Sequence, residues 1–190
     1  IKDEVGEEGY KTGEVKPLAG LREIGKVTET ETEVEHYDDV PAFVTDTTGS
    51  DEITLTVSAL DLETLADITG QYYDPDTAMF VEGERKPKYF AIGYIAGKTN
   101  GEEVYVWRLK GMFGVPESTH KTRDGGTDSD GQELKYTGIN TTHIFKKSGK
   151  TEKGINIDLA KDKCDVTGFF DTVQTPDTVK AKQPAETPTA

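Results

Sequence analysis

The stretch Tyr89-Phe90-Ala91-Ile92-Gly93-Tyr94-Ile95-Ala96-Gly97-Lys98-Thr99-Asn100-Gly101-Glu102-Glu103-Val104-Tyr105-Val106-Trp107-Arg108-Leu109-Lys110-Gly111-Met112-Phe113 decides the fold class. Asn100-Gly101 separates two apolar segments, and this dipeptide accepts the positive φ angles of a type I′ turn. The pattern predicts a hairpin joining residues 88–97 to residues 102–113. In the first strand both faces carry apolar side chains, as in a central strand covered on two sides. In the second, Tyr105, Trp107, Leu109 and Phe113 share one face, and Val106, Arg108, Lys110 and Met112 share the other. The first set is the expected core, with Trp107 at its centre.

Working outward, residues 122–131 are glycine-rich and acidic and read as a loop, followed by strand-like patterns over 133–145 and, more weakly, 155–159. Upstream, Ser58-Ala59-Leu60-Asp61 has capping-box spacing, Leu62, Leu65, Ala66 and Ile68 follow at near-helical intervals, and Gly70 marks the stop. Residues 52–57 alternate as a strand, and residues 36–50, with Asp38, Asp39, Pro41, Asp46 and Gly49, read as an extended loop. From Leu21 to Tyr37 the period is again two, while residues 2–20 read as loop or weak edge strand. The expected fold is mainly β: two packed antiparallel sheets, sandwich-like or barrel-like, with one short flanking α-helix. One domain over residues 1–170 is expected, then a polar, core-poor and flexible tail over 171–190.

The chain has 190 residues, enough for one domain with a real core. Its 22 Lys+Arg against 36 Asp+Glu give a net charge of −14, the wrong sign for gripping phosphates through a basic patch. The single Cys164 cannot form an internal disulfide and fits a reducing compartment. No apolar run approaches the about 20 residues of a membrane helix, so no membrane association is expected. The chain opens at Ile1 without a recognisable leader.

Sequence motifs for chemistry are weak. Gly97-Lys98-Thr99 lacks the earlier glycine of a phosphate loop and precedes a turn rather than a helix. Asp124, Asp128 and Asp130 miss the first and twelfth ligand positions of a calcium loop. His36, His120 and His143 lack zinc-site spacing, and no Gly-x-Ser-x-Gly elbow occurs. Asn140-Thr141-Thr142 matches a glycosylation acceptor that matters only in a secretory pathway. Neither a catalytic residue nor a metal or other cofactor is expected.

The strongest remaining feature is Thr28-Glu29-Thr30-Glu31-Thr32-Glu33-Val34-Glu35. On a strand, Glu29, Glu31, Glu33 and Glu35 share one face, while Thr28, Thr30, Thr32 and Val34 share the other, expected to lie on a packed layer. The carboxylate row is either a solvated face or a surface that repels a polyanion.

Residues 105–113, preceded by Tyr89-Phe90-Ala91-Ile92-Gly93-Tyr94, resemble the central hairpin of the major tail proteins of long, non-contractile-tailed bacteriophages. Leu65-Ala66-Asp67-Ile68-Thr69-Gly70-Gln71-Tyr72-Tyr73-Asp74 resembles that family's helix end, and residues 121–138 resemble its polar loop and next strand; the likeness spans about residues 18 to 147 by motif order and spacing. The resemblance implies a structural virion protein whose homo-hexameric rings stack into a tail tube, with other phage tail proteins as further partners. It places the protein in the host cytoplasm during assembly and then in the virion tail. DNA passes through such a tube without being specifically bound, and the resemblance makes Glu29, Glu31, Glu33 and Glu35 the lumen-facing candidates. Under this resemblance two departures are expected, the want of an obvious leading strand and of the extra C-terminal sandwich domain that some relatives carry.

The polar connection over 36–52 is expected to form an inter-subunit arm, with Tyr37, Asp38, Asp39, Phe43 and Asp46 as contact candidates. Assembly of acidic subunits is expected to be salt-assisted, because screening acts over roughly 8 Å at physiological ionic strength. The alternative class is a monomeric β-sandwich module binding carbohydrate or calcium. A hydrolase using dispersed carboxylates has no motif behind it.

Overall fold

The computed structural model describes residues 1–4, 9–37, 40–116 and 132–182, with side chains at positions 33, 35–37 and 40–42 left undescribed. Its elements are β1 (Lys2–Asp3), β2 (Tyr10–Lys11), β3 (Leu21–Tyr37), β4 (Val40–Val57), α1 (Leu62–Thr69), β5 (Tyr72–Asp74), β6 (Met79–Val81), β7 (Phe90–Gly97), β8 (Glu103–Phe113), β9 (Gln132–Gly138) and β10 (Gly154–Asp158), with a 3-10 turn at Leu159–Lys161. The fold is mainly β and sandwich-like, 46% strand and 7% helix, with antiparallel sheets and one α-helix.

Two compact units are stitched from separated segments, where one domain over 1–170 was expected. The first combines residues 1–16, 90–110 and 140–190; the second combines residues 17–89 and 111–139. β8 is shared by sequence: its residues through Lys110 belong to the first unit and Gly111–Phe113 to the second.

In the first unit β8 pairs with β7 and with β10, the latter antiparallel from Gly154↔Arg108 to Asp158↔Val104. Trp107, Leu109, Phe145 and Phe169 form the core, with Tyr105 half-buried against it. The Trp107 indole N–H donates to the Phe169 carbonyl at 3.2 Å, which satisfies the ring's one polar group inside the core. A Cβ on Gly93 would stand 2.9 Å from the Trp107 ring, so this strand position must lack a side chain.

Three expectations about this unit need correction. β7 pairs only with β8 among the described residues, so it is an edge strand rather than a central one. The β7–β8 turn is not type I′: Gly101 has φ 81°, while Asn100 has no positive φ. The Gly101 amide donates to the Lys98 carbonyl at 3.0 Å and the Lys98 amide to the Glu102 carbonyl at 2.7 Å, a three-residue loop closed by a left-handed glycine. Residues 171–182 also join the unit instead of trailing away. Val173 and Val179 pack on its core, Thr175 is buried, and the Asp177 carboxylate accepts from the amides of Lys146 and Lys147 at 3.0 and 2.7 Å. Residues 183–190 lie outside the described residues.

In the second unit β4 pairs with β3 on one side and with β9 on the other, and Gly111–Phe113 pair with Tyr136–Gly138. Ile53, Leu55 and Val57 are buried at alternate positions of β4, as are Leu134 and Tyr136 on β9. Phe113 belongs here and not with Trp107: its ring meets Tyr136 edge-on at 5.2 Å. The β9 pattern stops at Gly138, short of the strand-like stretch expected through residue 145.

The N-cap of α1 is Asp61, whose carboxylate accepts from the Thr64 amide at 2.6 Å. Ser58, the expected cap, instead accepts from the Gly20 amide at 3.1 Å through its hydroxyl. Gly70 ends the helix in the left-handed region at φ 70°, as expected. Arg85 then ties the helix end to β8, donating to the carbonyls of Thr69 at 3.1 Å and Phe113 at 3.0 Å.

Candidate assembly surface

β3 and β4 form one long hairpin rather than a strand followed by a loop. Their register runs from Leu21↔Val57 to Tyr37↔Val40, so the expected loop over 36–50 is largely strand. Its base is anchored at Asp51, whose side chain is 2% exposed. That carboxylate accepts from the Thr28 hydroxyl at 2.9 Å and pairs with the Lys26 ammonium at 3.4 Å. β9 accompanies β4 only from Asp51 to Val57. Beyond Asp51 the hairpin continues as a two-stranded ribbon that pairs with no other strand among the described residues.

A bulge marks the departure from the sheet. Thr28 faces Asp51 and Thr30 faces Thr48, which leaves Glu29 opposite both Gly49 and Ser50. The Ser50 hydroxyl donates to the Glu29 carboxylate at 2.7 Å, and a Cβ on Gly49 would lie 3.1 Å from that side chain. Farther out, the Thr32 hydroxyl donates to Asp46 at 3.3 Å and the Thr47 hydroxyl to the Glu31 carbonyl at 3.1 Å. Side-chain hydroxyl contacts of this kind stand beside apolar cross-strand pairing such as Val34 opposite Val44.

The sequence-predicted lumen candidates and arm candidates therefore meet on one element. Glu31, Glu33 and Glu35 take register positions opposite Thr47, Thr45 and Phe43. Glu29, Glu31, Phe43 and Asp46 are exposed, the side chains of Glu33, Glu35 and Tyr37 are not described, and Asp38 and Asp39 lie outside the described residues. The threonine face does not rest on a packed layer: Thr30, Thr32 and Val34 are exposed, and every described side chain from Glu29 to Gly49 is exposed. Apolar groups are exposed here too, with Val44 at 67% and Phe43 at 63%, and Val27 at the base of the hairpin at 67%.

Charge divides sharply between the units. The first holds fourteen Lys+Arg and fourteen Asp+Glu, a balance of zero. The second holds eight against twenty-two, a difference of −14, so it carries the entire net charge of the chain. Between Val27 and Ser50 there are seven Asp+Glu and no Lys or Arg. This segregation was not legible before the topology assigned each segment to its unit.

Comparison of the chain with protein-family models, with curated proteins and with solved structures gave no match.

Proposed function

We propose that the chain is a structural subunit that self-assembles through the β3–β4 arm, in the manner its resemblance to major tail proteins implies. The assembly is a tail tube of stacked hexameric rings, a negatively charged conduit through which DNA passes without specific binding. The subunit acts without catalysis or a cofactor. Its place is the host cytoplasm during assembly and afterwards the virion tail, beside other phage tail proteins.

The observation that supports this reading is the distal ribbon. An isolated two-stranded ribbon is marginally stable in water, and this one presents exposed Val34, Phe43 and Val44 among carboxylates. Contact with a neighbouring copy would cover those groups and close the backbone edges. A row of glutamates on the same ribbon cannot serve an interface and an open lumen at once. We assign the ribbon to the interface, with the lumenal role of Glu29, Glu31, Glu33 and Glu35 as the second reading.

Two variants test this. Replacing residues 30–47 by a short turn leaves the circular dichroism of a β protein and abolishes rings and tubes in electron micrographs. Converting the four glutamates to lysine separates the readings: lost assembly supports the interface, whereas normal rings with salt-dependent slowing of DNA passage support the lumen. A full-length chain that stays monomeric at high concentration would refute self-assembly and favour the ligand-binding module.

A further inference from the structure

The first unit carries a surface whose chemistry complements the arm. A shallow cavity of about 300 Å³ is lined by Lys147, Lys161, Lys163 and Lys180, with Ile157, Val179 and Ala181 as its aliphatic part. All four lysines are exposed.

Carboxylates stand around this surface as well: Asp158 lines the same cavity, and its pKa is lowered by the hydrogen bond from Lys98 and in part by the charge of Lys161. Asp158 pairs with Lys98 at 2.7 Å, Asp162 with Lys182 at 2.6 Å, and Asp177 accepts the amides of Lys146 and Lys147. Asp165 accepts the Thr167 amide at 3.0 Å. Its pKa is lowered by hydrogen bonds from Thr167 and by the charge of Lys180. Lys161, Lys163 and Lys180 close no salt bridge among the described residues, and the Lys147 ammonium lies 3.4 Å from the Val179 carbonyl. Four lysines line the cavity against the single carboxylate of Asp158, which is itself paired with Lys98, so the surface keeps positive charge inside a unit whose formal balance is zero.

Its backbone is also held in register. The Asp165 amide donates to the Lys180 carbonyl at 3.1 Å and the Lys182 amide to the Lys163 carbonyl at 2.9 Å, on either side of a bridge between Cys164 and Ala181. Lys163 and Lys180 are therefore presented from two locked segments, which limits the entropy lost when they bind.

We infer that this lysine surface is the receptor for the acidic β3–β4 arm of a second copy of the chain. The inference rests on the self-assembly reading and adds the partner surface to it. The arm supplies carboxylates with no cation among them, and its exposed valines and Phe43 match the aliphatic floor of the cavity. Opposite charges orient the encounter and apolar burial holds it. A free polyanion is disfavoured as the occupant, because a chain of net charge −14 repels it at long range.

The test mixes isotope-light and isotope-heavy chains under assembly conditions and applies a zero-length carbodiimide cross-linker. Mass spectrometry should find mixed-isotope links between Glu29, Glu31 or Asp46 and Lys161, Lys163 or Lys180. Lys161→Glu/Lys163→Glu/Lys180→Glu should raise the concentration needed for assembly by about tenfold or more, as three exposed pairs are lost. Glu29→Lys/Glu31→Lys/Asp46→Lys should do the same, and both sets in one chain should restore assembly. Circular dichroism checks each fold. Undiminished assembly of the lysine-to-glutamate variant without mixed-isotope links overturns the receptor while leaving self-assembly standing. A chain that never assembles overturns both. Stoichiometric binding of a short DNA duplex to these lysines, with assembly untouched, reassigns the surface to a nucleic acid.

Discussion

The Asp3 carboxylate meets the Lys110 ammonium at 2.7 Å, joining strands 107 residues apart in sequence within the first unit. The Asp3 side chain is 3% exposed and that of Lys110 12%. The amides of Thr142 and His143 donate to the same carboxylate at 2.6 and 2.9 Å. Burial alone would raise the Asp3 pKa, but the bond from Lys110 and the two amides outweigh it and hold the carboxyl below its ordinary value. A lowered folded-state pKa contributes stability above the unfolded value, near pH 4, and loses it as pH falls through the folded value. Asp3→Asn should therefore cost about 2 kcal/mol at neutral pH, because it removes the charge paired with Lys110 and an acceptor for the Thr142 and His143 amides. Its loss of stability on acidification should be flatter than the parent's. Denaturant midpoints from neutral to acid pH, under monomeric conditions, measure both effects.

Gly111 marks the point where β8 passes into the second unit. A Cβ there would collide with the Tyr136 ring and stand 2.5 Å from the Thr137 carbonyl oxygen. Tyr136 is 1% exposed and cannot swing away without opening the core. Gly111→Ala should destabilise this unit by about 2 kcal/mol or more, an overpacking cost. Gly114→Ala is the control, since its Cβ would meet only ordinary contacts with Lys135 at 3.6 and 3.7 Å. Equal unfolding midpoints for the two variants would contradict this account of the strand crossing.

Asp61→Ala should lower stability through loss of the Thr64 amide bond at the start of α1. Ser58→Ala should act through the Gly20 contact at the base of the hairpin and leave helix fraying unchanged. Hydrogen exchange at Glu63 and Thr64 distinguishes the two: faster exchange after the Asp61 change alone identifies the cap.

How much of this was legible in the sequence follows from where apolar periodicity exists. Tyr105, Trp107 and Leu109 alternate with side chains of the opposite face, so β8 and its core were readable. Residues 40–50 were not, because Asp, Pro and Gly look like loop punctuation and none of the described side chains from Glu29 to Gly49 is buried to impose an apolar period. Its backbone pairing is accompanied by hydroxyl–carboxylate contacts such as Thr32 to Asp46, which two-residue periodicity does not report. Residues 171–182 were missed for a related reason: besides Val173 and Val179, their order depends on Asp177 and on backbone bonds to distant segments, which composition does not report. Ser58 and Asp61 both fit cap chemistry, and only backbone geometry selects Asp61.

Charge segregation reverses the salt dependence expected from net charge. Uniformly acidic subunits would repel, and added ions would help them associate. Here the −14 belongs to the second unit, while the first is neutral overall and presents Lys147, Lys161, Lys163 and Lys180 on one surface. An arm carrying seven acidic residues and no Lys or Arg is attracted to that surface at the range where screening matters, so added salt should weaken the contact. Light scattering should show assemblies shrinking as ionic strength rises from about 0.05 M to about 0.5 M, where the screening length falls well below 10 Å. The sign should invert in Lys161→Glu/Lys163→Glu/Lys180→Glu, because acid then faces acid and screening relieves repulsion. A parent protein that grows longer with salt would restore the simple repulsion picture. A variant with the parent's salt response would show that these lysines do not face the arm.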